Sequence, residues 1–147
     1  MKKIIFLIAP VLMAVAVNGQ MNVSVESGFS IGNAPVAGFF AGYNTKAFNI
    51  RAGAQVHLSN KVNQPLLTQI KMGHTFNLGE FYVTPAAGYS HVLKSSDNKE
   101  LNEHGFLSNV EIGYKFDFKG DAMALYLSGT NVREYNTIVL GIRGTLS

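Results

Sequence analysis

The stretch Asn49–Asn60 reads NIRAGAQVHLSN, and polar and apolar residues alternate along it. Successive side chains of a β-strand point to opposite faces, so the segment predicts a strand with one polar and one apolar face. The apolar face would pack inward in a soluble sheet but would face lipid in a membrane barrel. The polar set is Asn49, Arg51, Gln55, His57 and Ser59, and the apolar set is Ile50, Ala52, Ala54, Val56 and Leu58.

The N-terminus reads MKKIIFLIAPVLMAVAVNGQ, in which Lys2 and Lys3 precede an apolar run that is followed by small and polar residues. This order is typical of a Sec signal peptide. The alternative is a membrane anchor, but the apolar run is shorter than the roughly 20 residues that a spanning helix needs. We therefore predict a signal peptide at 1–19, cleaved before Gln20 or Met21, and one domain at 20–147.

The charge and the cysteine content of the chain argue against several classes of protein. The chain has 12 Lys and Arg against 9 Asp and Glu, a formal charge of +3, and loss of Lys2 and Lys3 would leave 10 against 9, or +1. No basic stripe remains to favour a nucleic-acid partner. Cysteine is absent, which excludes a disulfide-stapled secreted domain and a lipidated cysteine anchor.

Alternation continues through the rest of the chain and predicts an all-β protein. Pro85 lies within one of the predicted strands, where it removes a ladder hydrogen bond and predicts a bulge or kink. Eight strands are expected, with lengths that suit tilted membrane-spanning strands. They cover 22–31, 37–43, 49–60, 66–78, 81–93, 105–118, 122–130 and 137–146.

The connections between these strands alternate in length. The second, fourth and sixth are tight (NTK, GE and KGD), whereas the others are longer and more polar, and KSSDNKELNEH at 94–104 is the longest. Tight turns at one end and longer loops at the other are typical of an up-and-down outer-membrane barrel, with the tight turns in the periplasm.

Aromatic residues collect near the tight turns, which predicts a girdle at the periplasmic membrane interface. The predicted girdle consists of Tyr43, Phe48, Phe76, Phe81, Tyr82, Phe116 and Phe118.

On these features, the chain from Gln20 onward resembles the small eight-stranded outer-membrane barrels of the OmpA/OmpX type or the outer-membrane barrels of Bacteroidetes. The resemblance implies an antiparallel up-and-down transmembrane β-barrel in the cell outer membrane, surrounded by lipid and lipopolysaccharide and inserted by the barrel assembly machinery. We expect a structural or surface-interaction role rather than an enzymatic one, with no cofactor and no nucleic-acid partner, and a monomer, since a closed barrel needs no second copy to satisfy its sheet edges.

If the apolar face meets lipid, the polar residues at alternate positions of each strand line the interior. An eight-stranded barrel is just wide enough to be filled by side chains, so we expect an ion-paired polar plug. The predicted network comprises Glu26, Arg51, Gln55, His57, Lys71, Glu111, Lys115, Asp117 and Arg143, with Gln69 and Tyr126 on the same face.

His57 to Asn60 reads HLSN, which resembles the His-x-Ser-Asn motif of the lipid A deacylase barrels. That resemblance implies a second hypothesis, in which His57 is the base, Ser59 the nucleophile and Asn60 an oxyanion donor. Lys71 stands where that family has its acidic partner. The strand-end interpretation of the same four residues assigns them no catalytic role.

A third hypothesis is a secreted lipocalin-like carrier, in which the same barrel turns its apolar face inward around a ligand. The four histidines, at positions 57, 74, 91 and 104, have no metal-ligand spacing, so the sequence predicts no metal site.

Overall fold

A computed structural model describes residues 19–30, 34–45, 48–58, 65–96, 99–132 and 135–146. Most of the predicted signal peptide, 1–18, lies outside the described residues. The strands are β1 (Gln20–Ser30), β2 (Pro35–Asn44), β3 (Asn49–His57), β4 (Leu66–Gly73), β5 (Phe76–Leu78), β6 (Phe81–Ser96), β7 (Lys99–Phe118), β8 (Asp121–Val132) and β9 (Tyr135–Leu146).

The strands close into an antiparallel barrel. Consecutive strands pair with each other, except that β4 pairs with β6 and not with β5, and β1 pairs with β9 to complete the ring. β5 continues β4, and both pair with β6, so eight strands surround the interior. Closure satisfies both sheet edges, as a bilayer requires of any strand that crosses it. The predicted fold class is therefore confirmed.

Pro85 accounts for the interruption between β4 and β5. β4 and β5 are separated by His74 and Thr75, which lie opposite Pro85 and Thr84 of β6. Proline has no N–H to donate to the ladder. The expected disturbance therefore appears in the strand that faces Pro85, while β6 keeps an unbroken register with β7.

The tight turns lie together at one end, which we call the turn end. Gly79 begins one turn with φ of 70°, and the Lys119–Gly120 turn has φ of 53° and 91°. Two-residue hairpin turns of type II′ have positive φ at their first residue, and those of type I′ have it at both residues. The twist of these turns matches that of the paired strands.

The opposite end, which we call the loop end, differs from the sequence prediction. β6 runs to Ser96 and β7 begins at Lys99, so most of the predicted polar loop at 94–104 belongs to a long hairpin. Cross-strand pairing continues from His91↔His104 to Ser96↔Lys99. Polarity predicts a loop here, but backbone hydrogen bonds can form a ladder whatever the side chains are.

Among the described residues, no helix has the length and apolarity needed to cross a membrane.

The two faces of the barrel have opposite polarity. Large apolar side chains cover the outside, where Phe29, Ile112 and Leu140 are 62%, 51% and 55% exposed. Charged side chains lie inside, where Arg51 and Glu111 are 3% and 1% exposed. The apolar face of the opening stretch, which contains Ile50 and Ala52, is the outer one.

Candidate functional site

The most densely bonded polar cluster among the described residues lies in the barrel interior. Three strands supply its central charges, namely Arg51 from β3, Glu111 from β7 and Arg143 from β9. Each occupies an inward-facing position of its strand, so the alternation of side chains directs all three towards the barrel axis.

Glu111 is the centre of this cluster. Arg143 Nη2 donates to both carboxylate oxygens, at 2.6 Å to Oε1 and 2.7 Å to Oε2. Arg51 Nη1 donates to Oε2, and the Tyr82 hydroxyl donates to Oε1 at 2.8 Å. One buried carboxylate thus meets two guanidinium groups and a phenol, which offsets the cost of removing these charges from water.

Glu26 provides a second carboxylate on β1. Gln55 Nε2 donates to its Oε1 at 3.0 Å, and the Tyr126 hydroxyl donates to its Oε2 at 3.1 Å. The Tyr126 hydroxyl also accepts from Arg51 Nη2 at 3.1 Å. Tyr126 therefore joins the two carboxylate centres into one network across the interior.

Aromatic rings enclose the cations of the network. The Arg51 guanidinium lies 5.4 Å from the Phe40 ring centre and 5.2 Å from that of Tyr126. Arg143 lies 4.9 Å from the Tyr126 ring centre, and Lys71 Nζ lies 4.7 Å from that of Phe40. Cation–π contacts of this kind stabilise a desolvated cation without adding a further charge.

Glycines make room for two of these rings. Gly113 lies directly opposite Tyr82, and Gly141 directly opposite Tyr126. A Cβ at Gly113 would lie 2.3 Å from the Tyr82 ring, and one at Gly141 would lie 2.2 Å from the Tyr126 ring. Any other residue at either site would push the ring away from its hydrogen-bond partner.

The interior is filled at the level of the network. The gap bounded by Arg51, Lys71, Glu111 and Arg143 is too small for a water molecule. Towards the turn end the barrel opens into a cavity of about 840 Å³, whose lining includes Arg143 and Tyr82. The arrangement suits a plug at this level of the barrel.

The structure corrects one assignment made from sequence. Its position near a tight turn predicts that Tyr82 belongs to the girdle, but the side chain points inward and is 2% exposed. The alternation that turns Phe81 outward necessarily turns Tyr82 inward. Lys115 and Asp117 line the open cavity of the interior at the turn end, where they are exposed.

The other girdle residues lie around the turn end. Phe76, Phe81 and Phe118 are more than half exposed, whereas Tyr43, Phe48 and Phe116 are partly buried.

Sequence reasoning missed an apolar layer inside the loop-end half of the barrel. Its signal was present as consecutive apolar pairs, such as Leu66-Leu67 and Val92-Leu93, in which one residue must face inward. The layer contains Val36, Leu67, Val92, Leu107, Val132 and Val139, each at most 3% exposed.

His57 lies inside the barrel beside this layer. It is 3% exposed, its ring meets the edge of Tyr135 at 5.5 Å, and its Nε2 has no hydrogen-bond partner among the described residues. Ser59 and Asn60, its partners in the deacylase hypothesis, lie outside the described residues. A base enclosed in the interior is poorly placed to act on a lipid that contacts the outer wall.

No protein-family model matches the chain, and no curated protein matches its sequence. Solved structures do match. A designed transmembrane β-barrel superposes with a TM-score of 0.65 and 13% identity, covering 88% of this chain and 97% of the design. The N-terminal β-barrel domain of Pseudomonas aeruginosa OprF superposes with a TM-score of 0.61 and 15% identity, covering 88% of this chain and 98% of that domain.

Neisserial surface protein A gives a TM-score of 0.56 and 9% identity, covering 87% of this chain and 96% of that one. At these identities the likeness concerns the fold. The chain therefore has the fold of the small eight-stranded outer-membrane barrels.

Proposed function

We propose that this protein is a non-enzymatic barrel of the bacterial outer membrane, with a structural or surface-contact role in the cell envelope. The proposal rests on one observation, the reversed polarity of the barrel. Charged groups such as Arg51 and Glu111 are buried inside, while large apolar residues such as Leu127 and Leu140 are 52% and 55% exposed outside.

This polarity favours a lipid environment over an aqueous one. Soluble monomers rarely expose a contiguous apolar patch of more than a few hundred Å², whereas here every strand of the barrel wall turns apolar residues outward. A lipocalin-like carrier would need the opposite arrangement, with an apolar interior around its ligand. The buried Arg51–Glu111–Arg143 cluster occupies the space that such a ligand would need.

A closed interior favours a structural role over transport. The network fills the barrel across its width, and eight strands leave no room for a wide channel. The turn end would face the periplasm, and the long β6–β7 hairpin would face the outside. A contact role for that outer surface is supported by the likeness to a protein named for its surface location.

Cell fractionation tests the proposal. We expect the protein in the outer-membrane pellet, with a mobility on denaturing gels that differs between unboiled and boiled samples because a closed barrel resists detergent at room temperature. In liposome-swelling assays the purified barrel should admit no small sugars. A periplasmic species with no mobility shift, or rapid swelling, would contradict the proposal.

A further inference from the structure

The apolar layer crosses the interior of the barrel between the loop end and the polar network. Six of the eight strands of the wall each contribute one buried aliphatic side chain to it, and none of the six is more than 3% exposed. They are Val36 of β2, Leu67 of β4, Val92 of β6, Leu107 of β7, Val132 of β8 and Val139 of β9. Leu67 and Val92 are directly opposite each other in the ladder, so members of the layer meet across neighbouring strands.

The two remaining strands, β1 and β3, complete the layer. β1 contributes Gly28, which is directly opposite both Val36 and Val139. A Cβ at Gly28 would lie 2.1 Å from the Ile138 carbonyl oxygen, so backbone atoms fill this sector. β3 contributes His57, which is opposite Val36 and is 3% exposed. Every strand of the wall therefore closes its sector of the layer with an aliphatic side chain, a buried ring or backbone.

The layer borders the network on its loop-end side. From the loop end, Leu67 precedes Lys71 along β4, and Val139 precedes Arg143 along β9. On the other side, the network borders the turn-end cavity of about 840 Å³, whose lining includes Arg143. The polar interior therefore meets an open cavity at one end and packed aliphatic side chains at the other.

Ser128 marks the boundary between the layer and the network. It is directly opposite Val139 of the layer on one side and Glu111 of the network on the other. Ser128 is 0% exposed. A probe at this position therefore reports whether solvent passes either the layer or the network.

We propose that the apolar layer is the barrier between the outside and the polar network, so that water and ions reach the network only from the turn-end cavity. A hydrophobic constriction excludes water and ions because it offers them no hydrogen-bond partners. The interior is then open to the periplasm and closed to the outside. The assignment of the two ends to these compartments rests on the proposed function, whereas the barrier rests on the packing inside the barrel.

Labelling of single thiols in detergent micelles tests the barrier, because the chain has no cysteine of its own. Ser128→Cys places a thiol between the layer and the network, and Thr145→Cys places one in the lining of the turn-end cavity. The probe is a cationic methanethiosulfonate, and mass spectrometry measures the labelling rate. We expect Ser128→Cys to react about a hundredfold more slowly than Thr145→Cys, because its labelling requires local opening of the barrel.

Leu67→Ala opens the layer without changing a residue of the network. In the Ser128→Cys background it should raise the labelling rate about tenfold or more, because truncation of a buried leucine leaves a cavity. Val92→Ala is a second opening variant, since Val92 is opposite Leu67 in the ladder. Leu66→Ala is the matched control, because Leu66 is the adjacent residue and faces outward, and it should leave the rate unchanged. Leu67→Met refills the layer with a side chain of similar volume and should keep the labelling slow.

A heat-modifiable band on gels verifies that each variant is folded. The proposal is overturned if Ser128→Cys reacts as fast as Thr145→Cys, if both opening variants leave its rate unchanged, or if Leu66→Ala raises the rate as much as Leu67→Ala. A soluble periplasmic barrel would contradict the proposed function in cell fractionation but would leave this labelling pattern unchanged, so the two failures are distinguishable.

Discussion

Arg143 reaches Glu111 across strand β8, and a single guanidinium nitrogen lies within 2.7 Å of both carboxylate oxygens. Glu111 is 1% exposed and also holds Arg51 and Tyr82. The barrel therefore depends on one carboxylate to neutralise two buried guanidinium groups.

Replacing that carboxylate should destabilise the barrel more than replacing any exposed one. Glu111→Gln leaves Arg51 and Arg143 without their shared anion, and breaking a buried ion pair costs about 3–5 kcal/mol. We expect urea unfolding in detergent micelles to show a loss of this size. Asp117→Asn is the control, because Asp117 is exposed in the turn-end cavity and should change stability little. Equal effects of the two variants would contradict the central role of Glu111.

A methyl group at Gly141 should disturb the network by crowding the Tyr126 ring. Its Cβ would lie 2.2 Å from the Tyr126 ring, and the Tyr126 hydroxyl is held by Glu26 and Arg51. Overpacking of this kind costs about 1–3 kcal/mol, so Gly141→Ala should lower the unfolding midpoint.

Gly129→Ala provides the matched control on the neighbouring strand. A Cβ there would have no heavy atom within 4 Å other than those of its two chain neighbours, because Gly129 faces outward. Its unfolding midpoint should stay close to that of the wild type. A Gly141→Ala barrel as stable as Gly129→Ala would show that the ring moves aside without cost.

Charges on the outer wall should be costly in proportion to their depth in the bilayer. Leu127 and Leu140 face outward, directly opposite each other near mid-strand. Leu127→Arg should cost about 2–4 kcal/mol in lipid vesicles, whereas Leu78→Arg beside a tight turn should cost about 0–1 kcal/mol. Unfolding titrations in vesicles measure both. A soluble barrel would tolerate arginine equally at the two exposed sites, so equal costs would count against membrane insertion.

The deacylase hypothesis has a direct test in cells. His57 is enclosed in the interior, so we expect no hydrolysis of lipid A. Ser59→Ala and the wild type, expressed at equal levels in the same Gram-negative host, should give identical lipid A mass spectra. Loss of an acyl chain that depends on Ser59 would restore the enzymatic hypothesis.

Much of the fold follows from the alternation of polar and apolar residues along each strand. In the stretch Asn49–Asn60, alternation places Arg51 and Gln55 on one face and Ile50 and Ala52 on the other, and the structure shows the same division. The tight turns follow from local chemistry as well, since Gly79 and Gly120 adopt positive φ at little cost. These properties are local, because each depends on a few neighbouring residues.

Tertiary structure alone decided which side chains meet. Arg51 and Glu111 are 60 residues apart, and nothing in either strand specifies the other as its partner. Polarity suggested a loop at 94–104, but strand pairing turned it into a hairpin and stacked His91 on His104. The face that each residue occupies can be read along its strand, because it depends only on the pleating of the local backbone. Register and barrel closure determined the contacts, because they depend on pairing between distant strands.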